Sequence, residues 1–504
     1  MEQALRVSGM EQAVPVLGGG SRRYINLDNG ASTPPLAEVS ACVEQFMPWY
    51  SSVHRGSGFK SQLATRVLDQ SREVVLDFVG ANPATHTAVF AKNTTEAINR
   101  LAQLFAFAEG DVVLVSEMEH HANDLPWRAR ATVGRVAVTP DGELDLADLE
   151  RKLHQYAGRV RLVAISGASN VTGFVNPIHE IARLAHTYGA RIMVDAAQLA
   201  PHRRIVMWQP ERAESIDFLV LSGHKMYAPY GGGALIAPIA FLEAARPDQW
   251  GGGAVKLVAP DEVILADAPD RVEPGSPNVP GAVAMAKAMK VLMSRGMEWV
   301  AHHEAELTVY ALRRLREIPG LRIYGSSDPG RTADRLGVIA FNLGDLPHGL
   351  VAAILAQESA IGVRNGCFCA HPYVVRLLGL TQADYAAHRE AILRGDRSEV
   401  PGLVRVSFGV YSTEADVDAL VAALHRIAAG EYRDGYLLDA RTGDYSHPDY
   451  QPAFDEYFAL EEQLVFKNHY RYRTSTIVYC PKPPPRTILK AEDPTGKARA
   501  GLLT

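Results

Sequence analysis

Short apolar runs recur through the first half of the chain, at 88–90, 112–115, 162–165, 192–194, 218–221 and 234–236. Each has the length of a strand and gives way to polar or turn-forming residues. Between them lie longer stretches, such as 95–106 and 178–188, with apolar residues every three or four positions. That is the spacing of an amphipathic helix. Strand, helix, strand in this rhythm predicts a mostly parallel sheet covered on both faces. Ligands of such sheets gather beyond the strand C-termini, where the strand order reverses.

Helical spacing also precedes this region, at 36–47 and 61–79. Past Val279 the rhythm changes. Two Ala/Met/Leu-rich helices are predicted over 281–294 and 297–318, with shorter strands at 338–342, 362–364 and 403–408. Thr413-Glu414-Ala415-Asp416 reads as a capping box that opens a helix to residue 429. The expected architecture is α/β. A large domain takes residues 24–280, its first part also contributing to the small domain, and a smaller α/β domain takes 281–429. Residues 1–23, with Gly18-Gly19-Gly20, are expected to be a mobile lead. Residues 430–504 form an extension rich in aromatics, among them Tyr445, Tyr450, Phe454, Tyr457, Phe458, Phe466, Tyr470 and Tyr472. It is expected to pack on the body or on a partner subunit. It runs into Lys482-Pro483-Pro484-Pro485-Arg486, a poor candidate for regular structure.

Composition narrows the function. The 504 residues are 47% hydrophobic and 21% charged, which is ordinary for a soluble globular protein. A formal net charge of −6 and no long basic run argue against nucleic acid or an anionic membrane as the main partner. No stretch offers about eighteen uninterrupted apolar residues, and no charged-then-apolar leader pattern opens the chain. The expected location is the cytoplasm. Four cysteines do not make a disulfide framework in a chain of this size.

The candidate chemistry sits at the strand ends. The run 218–221 leads straight into Ser222-Gly223-His224-Lys225, and the run 192–194 ends in Asp195 with Gln198 just beyond. A lysine past a buried strand end is well placed to form a Schiff base. Paired with a buried carboxylate from a neighbouring strand end, it is what pyridoxal phosphate needs. The lysine holds the aldehyde, and the aspartate keeps the pyridine nitrogen protonated. Thr94 and Thr95 open a helix whose exposed N–H groups and hydroxyls suit a phosphate; a plain N-cap is the alternative. His120, in Glu119-His120-His121-Ala122-Asn123, can stack on a flat cofactor, bind a metal or simply hydrogen-bond in its loop. No complementary ligand set accompanies the His120-His121 pair, so no metal site is expected. Asn170 can face a ligand oxygen or serve a turn. Ser222 and His224 can bind phosphate or be solvated loop polarity. Arg405 can grip a carboxylate bidentately or be an edge-strand charge. The stretch Arg364-Asn365-Gly366-Cys367-Phe368-Cys369-Ala370 reads as a loop, and a cysteine on a loop is unusual because inert cysteine is typically buried.

Together these stretches resemble the class V aminotransferase family of fold-type I pyridoxal phosphate enzymes, and within it the group II cysteine desulfurases. The strings that carry the resemblance are LDNGASTP, VHRG, NTTEAIN, EHHAND, SNVTG, VDAAQ, SGHKMYAPYG, GSPN and RNGCFCAHP, in that order between residues 27 and 372. It implies that Lys225 holds the cofactor, that Asp195 and Gln198 partner its ring nitrogen and ring oxygen, and that His120 stacks on the ring. Asn170 would face substrate or cofactor. Thr94, Thr95, Ser222 and His224 would bind the phosphate, with Ser276 reaching it across a homodimer interface. Arg405, helped by Arg364 and His54, would bind substrate, and Cys369 would be the nucleophile. The implied reaction converts L-cysteine to L-alanine, with a persulfide on Cys369 for a sulfur-acceptor protein. Cys367 departs from the group II pattern, which has histidine there. Gly366-Cys367-Phe368-Cys369 instead resembles the sulfurase domain of molybdenum-cofactor sulfurases. Two thiols so close would pass a persulfide or close a strained disulfide. Asp124 stands where an apolar residue is more usual. The competing expectations are another C–S lyase, aminotransferase or epimerase of the same fold, or a non-catalytic sulfur-transfer scaffold.

Overall fold

Buried apolar strands build the centre of the protein. Every residue of Val112–Ser116 and of Phe218–Ser222 is buried, and Val160–Ser166 exposes only Arg161. Strands buried on both faces need covering layers, and amphipathic helices such as Thr94–Leu104 and Ile178–Thr187 supply them. The computed structural model describes residues 5–460. The expectations for Phe466, Tyr470, Tyr472 and the proline run lie outside those residues. By contacts the chain divides into two units, 1–451 and 452–504. The described part of the second carries a short 3-10 turn, Phe454–Glu456.

The central sheet has seven strands, in the order His86–Ala91, Gly233–Pro238, Phe218–Ser222, Arg191–Asp195, Val160–Ser166, Val112–Ser116, Thr132–Val136. Gly233–Pro238 runs antiparallel to both neighbours, and the other pairings are parallel. From Val112–Ser116 the chain steps outward to Thr132–Val136, then returns to Val160–Ser166 on the opposite side. The strand order therefore reverses between Val112–Ser116 and Val160–Ser166, and their C-terminal ends open a crevice. A second, antiparallel sheet orders Leu321–Tyr324, Val338–Leu343, Leu403–Ser407 and Arg364–Gly366. Ile25 and Leu27 are buried in its core beside Ile339, Phe341, Val404 and Val406. Among the described residues, no helix is long and apolar enough to cross a membrane.

Two expectations differ from the structure. Residues 5–23 pack on the body and do not stand apart as a lead. Ala13–Pro15 pairs with Ser21–Arg23, Leu5, Val7 and Leu17 are buried, and the Leu17 N–H donates to the Gln357 carbonyl at 2.6 Å. Gly18, Gly19 and Gly20 make the hairpin turn at φ +91°, +93° and +81°, where glycine is at no disadvantage. The boundary at 280 also moves. Helix Val279–Arg295 buries Ala284, Met285, Ala288 and Met289 in the core of the large sheet, and Val279, Ala282 and Val283 against Ala64 and Leu68 of helix Phe59–Phe78. It belongs to the large domain. Past residue 430 the chain stays in contact with the body. Hairpin strands Leu437–Asp439 and Asp444–Ser446 are followed by His447, whose N–H donates to Gln357 Oε1 at 3.1 Å. Tyr436 donates to Glu358 Oε1 at 3.2 Å.

Candidate active site

A cavity of about 400 Å³ opens over the C-terminal ends of the parallel strands, beside the crevice. Strand Arg191–Asp195 delivers Asp195 to its floor, fully buried, with Oδ1 accepting the Ala197 N–H at 3.0 Å. Burial raises the Asp195 carboxyl above its usual range, and the Lys225 charge pulls the other way. Strand Phe218–Ser222 passes into the one-turn helix Gly223–Lys225, so Lys225 emerges just past the strand end. A Cβ on Gly223 would stand 3.0 Å from the Gly232 carbonyl and 3.2 Å from that of Ala228, so only glycine packs there without displacement. Burial pushes the Lys225 amine down to about 8, with Asp195 opposing. Its Nζ makes no hydrogen bond or ion pair with the described residues.

One corner of the cavity is a ready anion seat. Asn93 caps helix Thr94–Leu104, accepting the Glu96 N–H at 3.0 Å. Thr94 is tied to Ser222, its N–H donating to Ser222 Oγ at 2.8 Å with the two hydroxyls 2.7 Å apart. A Cβ on Gly233 would fall 2.6 Å from Asn93 Cα, so glycine allows the helix start to lie against the strand. The N–H and hydroxyl of Thr95 line the cavity and have no partner among the described residues. Burial, helped by Lys225, pushes His224 down to about 4, so it stands neutral beside the seat. The open N–H and hydroxyl of Thr95, at the start of an eleven-residue helix, suit a phosphate.

His120 rises from the loop after Val112–Ser116. Its Nδ1 accepts the Ala122 N–H at 3.0 Å, which leaves the ring proton on Nε2. Burial, then the charges of Lys225, His121 and Arg405, pushes it down to about 4. The loop is fastened by Glu119, which the sequence reading passed over. The Glu119 carboxylate accepts from Ser116 Oγ at 2.5 Å, from Ser166 N–H at 3.1 Å and Oγ at 2.6 Å, and from Asn123 Nδ2 at 2.6 Å. It staples the two strand ends at the reversal of strand order. Burial still pushes it up to about 7. Asp124 meets Arg128 and Arg135 on the outer side of this loop, which explains a charge in an otherwise apolar place.

The far wall comes from the smaller sheet. Arg405, on Leu403–Ser407, stands across from Arg364 in the register of the two strands. Its buried guanidinium donates to Asp28 Oδ1 at 2.8 Å and to the Asn170 carbonyl at 2.9 Å, while its buried Nε has no partner among the described residues. Asp28, also missed from sequence, holds the arginine in place. Arg364 stands exposed at the rim, 3.9 Å from Asp28. The stretch expected to be loop from Arg364 forms an edge strand through Gly366, and only then turns. Phe368 and Cys369 take φ +49° and +55°, strained for non-glycine residues. Asn170 Nδ2 donates to the Phe368 carbonyl at 2.7 Å, and the His121 N–H to that of Cys369 at 2.7 Å. Cys369 is exposed at the cavity that Lys225 and Arg405 also line.

Lys225, Asp195, Gln198, His120, Asn170, Thr94, Thr95, Ser222, His224, Arg364, Arg405 and Cys369 thus line one cavity. Gln198 spends its Nε2 on the Gly30 carbonyl at 2.7 Å. Two expected residues do not line it. His54 borders a separate groove with Thr65 and Asp69, and Ser276 is exposed outside the cavity of its own chain. The donors that remain fit pyridoxal phosphate. They are an unpaired amine, a buried carboxyl beside it, an open helix start for a phosphate and a neutral imidazole.

The aminotransferase class-V family model matches residues 25–420. A cysteine desulfurase of Dickeya dadantii is 37% identical over 411 residues, spanning 80% of this chain and 91% of its own length. A probable cysteine desulfurase of Halalkalibacterium halodurans is 34% identical over 412 residues, 80% of this chain and 92% of its own. Among solved structures, the apo cysteine desulfurase from Thermococcus onnurineus superposes with a TM-score of 0.71 at 29% identity, covering 81% of this chain and 95% of that one. The cysteine desulfurase CsdA from Escherichia coli, in its S-sulfonic acid form, gives 0.68 at 29% identity over 81% and 96%.

Proposed function

The chain belongs to the class-V aminotransferase family and, within it, to the cysteine desulfurases; on that footing we propose that it converts L-cysteine to L-alanine and leaves the sulfur as a persulfide on Cys369. These families work with pyridoxal phosphate. When bound, the cofactor supplies a cationic ring that takes up the electron pair released at the substrate α-carbon. Lys225 and Asp195 would hold it at one end, and Thr94, Thr95, Ser222 and His224 at its phosphate. His120, neutral and with its proton on Nε2, would be the residue to stack on the ring.

The chain's own residues then divide the work. Arg405, fixed by Asp28, offers its free Nε to the substrate carboxylate. Lys225, its amine brought near neutrality, takes and returns protons at the substrate carbons. The Cys369 thiolate attacks the substrate sulfur. An S–S bond forms, the Cβ–S bond breaks, and protons complete alanine. The observation that carries this reading is the placement of Cys369, exposed in the same cavity that Lys225 and Arg405 line. A homodimer would account for Ser276, which is exposed and does not line its own cavity, on a loop that Glu273 anchors through a two-point pair with Arg72 at 3.0 Å. A sulfur-acceptor protein would then collect the persulfide.

The test is alanine and sulfide release from L-cysteine, with reductant, in wild type and Cys369→Ala. Equal amounts of both products from wild type and neither from the variant are expected. Full activity in the variant would instead make the protein a lyase or aminotransferase on the same scaffold.

A further inference from the structure

Cys367 stands two residues before the proposed nucleophile, and the reaction above gives it no part. A thiol there has two possible uses, as a second sulfur carrier or as a strut.

The geometry of the loop separates them. Two consecutive non-glycine residues at positive φ cost on the order of 1–3 kcal/mol each, and such a conformation persists only where its surroundings over-determine it. On one side, the ties are the Asn170 and His121 hydrogen bonds to the carbonyls of Phe368 and Cys369, and both donors belong to the large-sheet floor. On the other side stands Cys367. Its side chain is buried and its Sγ donates to the Pro401 carbonyl at 2.9 Å. No disulfide joins it to Cys369.

Pro401 lies in a segment that is itself held from behind. The Val400 carbonyl faces His348 Nε2 at 3.0 Å, and the Arg397 N–H donates to the Ala440 carbonyl at 2.6 Å. Ala440 sits in the C-terminal hairpin, beyond the family match that stops at 420. Gly402 brings this segment into direct contact with the loop, since a Cβ there would lie 2.6 Å from Gly366 Cα and 2.5 Å from His348 Nε2. A continuous line of backbone and side-chain contacts thus runs from the hairpin, through residues 397–402, to the Cys367 thiol.

We propose that Cys367 is a positioning residue: its thiol ties the cysteine loop to a segment braced by the C-terminal hairpin, holding Cys369 over the cavity, and it carries no sulfur itself. This rests on the reading of Cys369 as the persulfide carrier. Burial pushes the Cys367 thiol up to about 12, so at neutral pH it is the protonated donor and not the thiolate that sulfur transfer requires. The same line of contacts gives the hairpin a task, as a brace for the loop.

The experiment compares Cys367→Ser, which keeps a donor, with Cys367→Ala, which does not, in the full-length holoenzyme. The alanine variant should lose about tenfold in kcat with KM nearly unchanged, because a misplaced nucleophile slows the chemical step and not binding. The serine variant should recover most of that loss. In cofactor-free protein, amide hydrogen exchange over residues 366–370 should quicken in the alanine variant, and exchange in the central strands should not. After one turnover without acceptor, alkylation and peptide mass analysis should find the extra sulfur on Cys369 alone. That last reading uses the wild-type chain, so it does not depend on any variant folding. Sulfur on Cys367, or a serine variant as slow as the alanine one, would make Cys367 a carrier and overturn the proposal. So would wild-type kcat and exchange in the alanine variant. Full activity in Cys369→Ala fails the persulfide reading instead, and the exchange comparison then still tests the strut.

Discussion

Lys225 follows a strand whose five residues are all buried, whereas Cys369 ends a pair of non-glycine residues held at positive φ. The first is placed by the regular hydrogen bonding of the central sheet. The second is placed against its own backbone preference, by single contacts from Asn170, His121 and Cys367. A sheet end fixes a side chain without backbone strain, and that suits residues which hold a cofactor. A strained loop fixes one only while its ties last, and that suits a thiol that takes up sulfur and then has to give it away.

The widest separation between the two regions should come from paired variants. Lys225→Ala should lose turnover by at least about a thousandfold and also lose the visible absorbance of lysine-bound cofactor. Cys369→Ser should lose persulfide formation as completely while keeping that absorbance. Absorbance spectra with alanine release check both. Loss of the cofactor band in Cys369→Ser would mean that the loop helps build the floor.

Arg405 belongs to both regions, since it touches Asn170 on the floor side and its guanidinium lies 5.0 Å from the centre of the Phe368 ring. Arg405→Lys should cut kcat/KM for L-cysteine by about a hundredfold, mostly through KM. A point charge cannot span Asp28, the Asn170 carbonyl and a carboxylate at once. A change confined to kcat would show that the arginine serves the loop and not the substrate.

Glu119 tests the floor alone. Glu119→Gln should cost about 1–3 kcal/mol. One carboxylate oxygen accepts the Ser166 N–H and the other the Asn123 Nδ2, so an amide group in either orientation turns its NH₂ toward a donor. The pH dependence has a definite sign. The folded-state pKa of Glu119, at about 7, is raised above the ordinary carboxylate value, so the folded protein binds a proton that the unfolded chain releases. Its contribution is full below about pH 4.3 and declines as pH rises toward 7. Wild-type Tm should therefore fall across that interval by more than the Tm of the glutamine variant. Parallel curves would place the Glu119 pKa at an ordinary value.

The same contrast explains what could be read from sequence. Asp195, Ser222 and Lys225 were legible because a buried apolar strand ending in a polar residue is visible as a run of letters. The seven-stranded sheet followed from the same runs, except for Thr132–Val136, an edge strand whose mixed residues are half exposed. Helix Gln382–Leu393 shows no apolar face because it buries no residue, so the Thr381–Asp384 capping box is its one local mark, and Leu321–Tyr324 is an edge strand of mixed burial. Gly18-Gly19-Gly20 read as a mobile lead, when the glycines serve a hairpin whose burial depends on Gln357, hundreds of residues away. Asp28, Glu119 and Cys367 share that limit. Asp28 and Cys367 act through partners far along the chain, and Glu119, although it also meets its neighbours Ser116 and Asn123, joins the two strand ends only through the distant Ser166.

The mildest prediction concerns the helix that follows the cysteine loop. Tyr373, in His371–Leu378, is fully buried; its hydroxyl donates to the Gly142 carbonyl at 2.5 Å and meets Thr172 Oγ1 at 2.9 Å. Tyr373→Phe removes that tether while keeping the ring. It should cost about 1–3 kcal/mol of stability, because the buried Gly142 carbonyl and Thr172 hydroxyl both lose a partner. Turnover should change by less than about twofold, because the Asn170, His121 and Cys367 contacts act on the loop itself and Tyr373 acts only beyond it. Denaturant unfolding and kcat measured on the same preparation check the two parts. If kcat fell in proportion to the lost stability, the loop would be positioned by the packing of the whole helix, and the three local contacts would be its consequence.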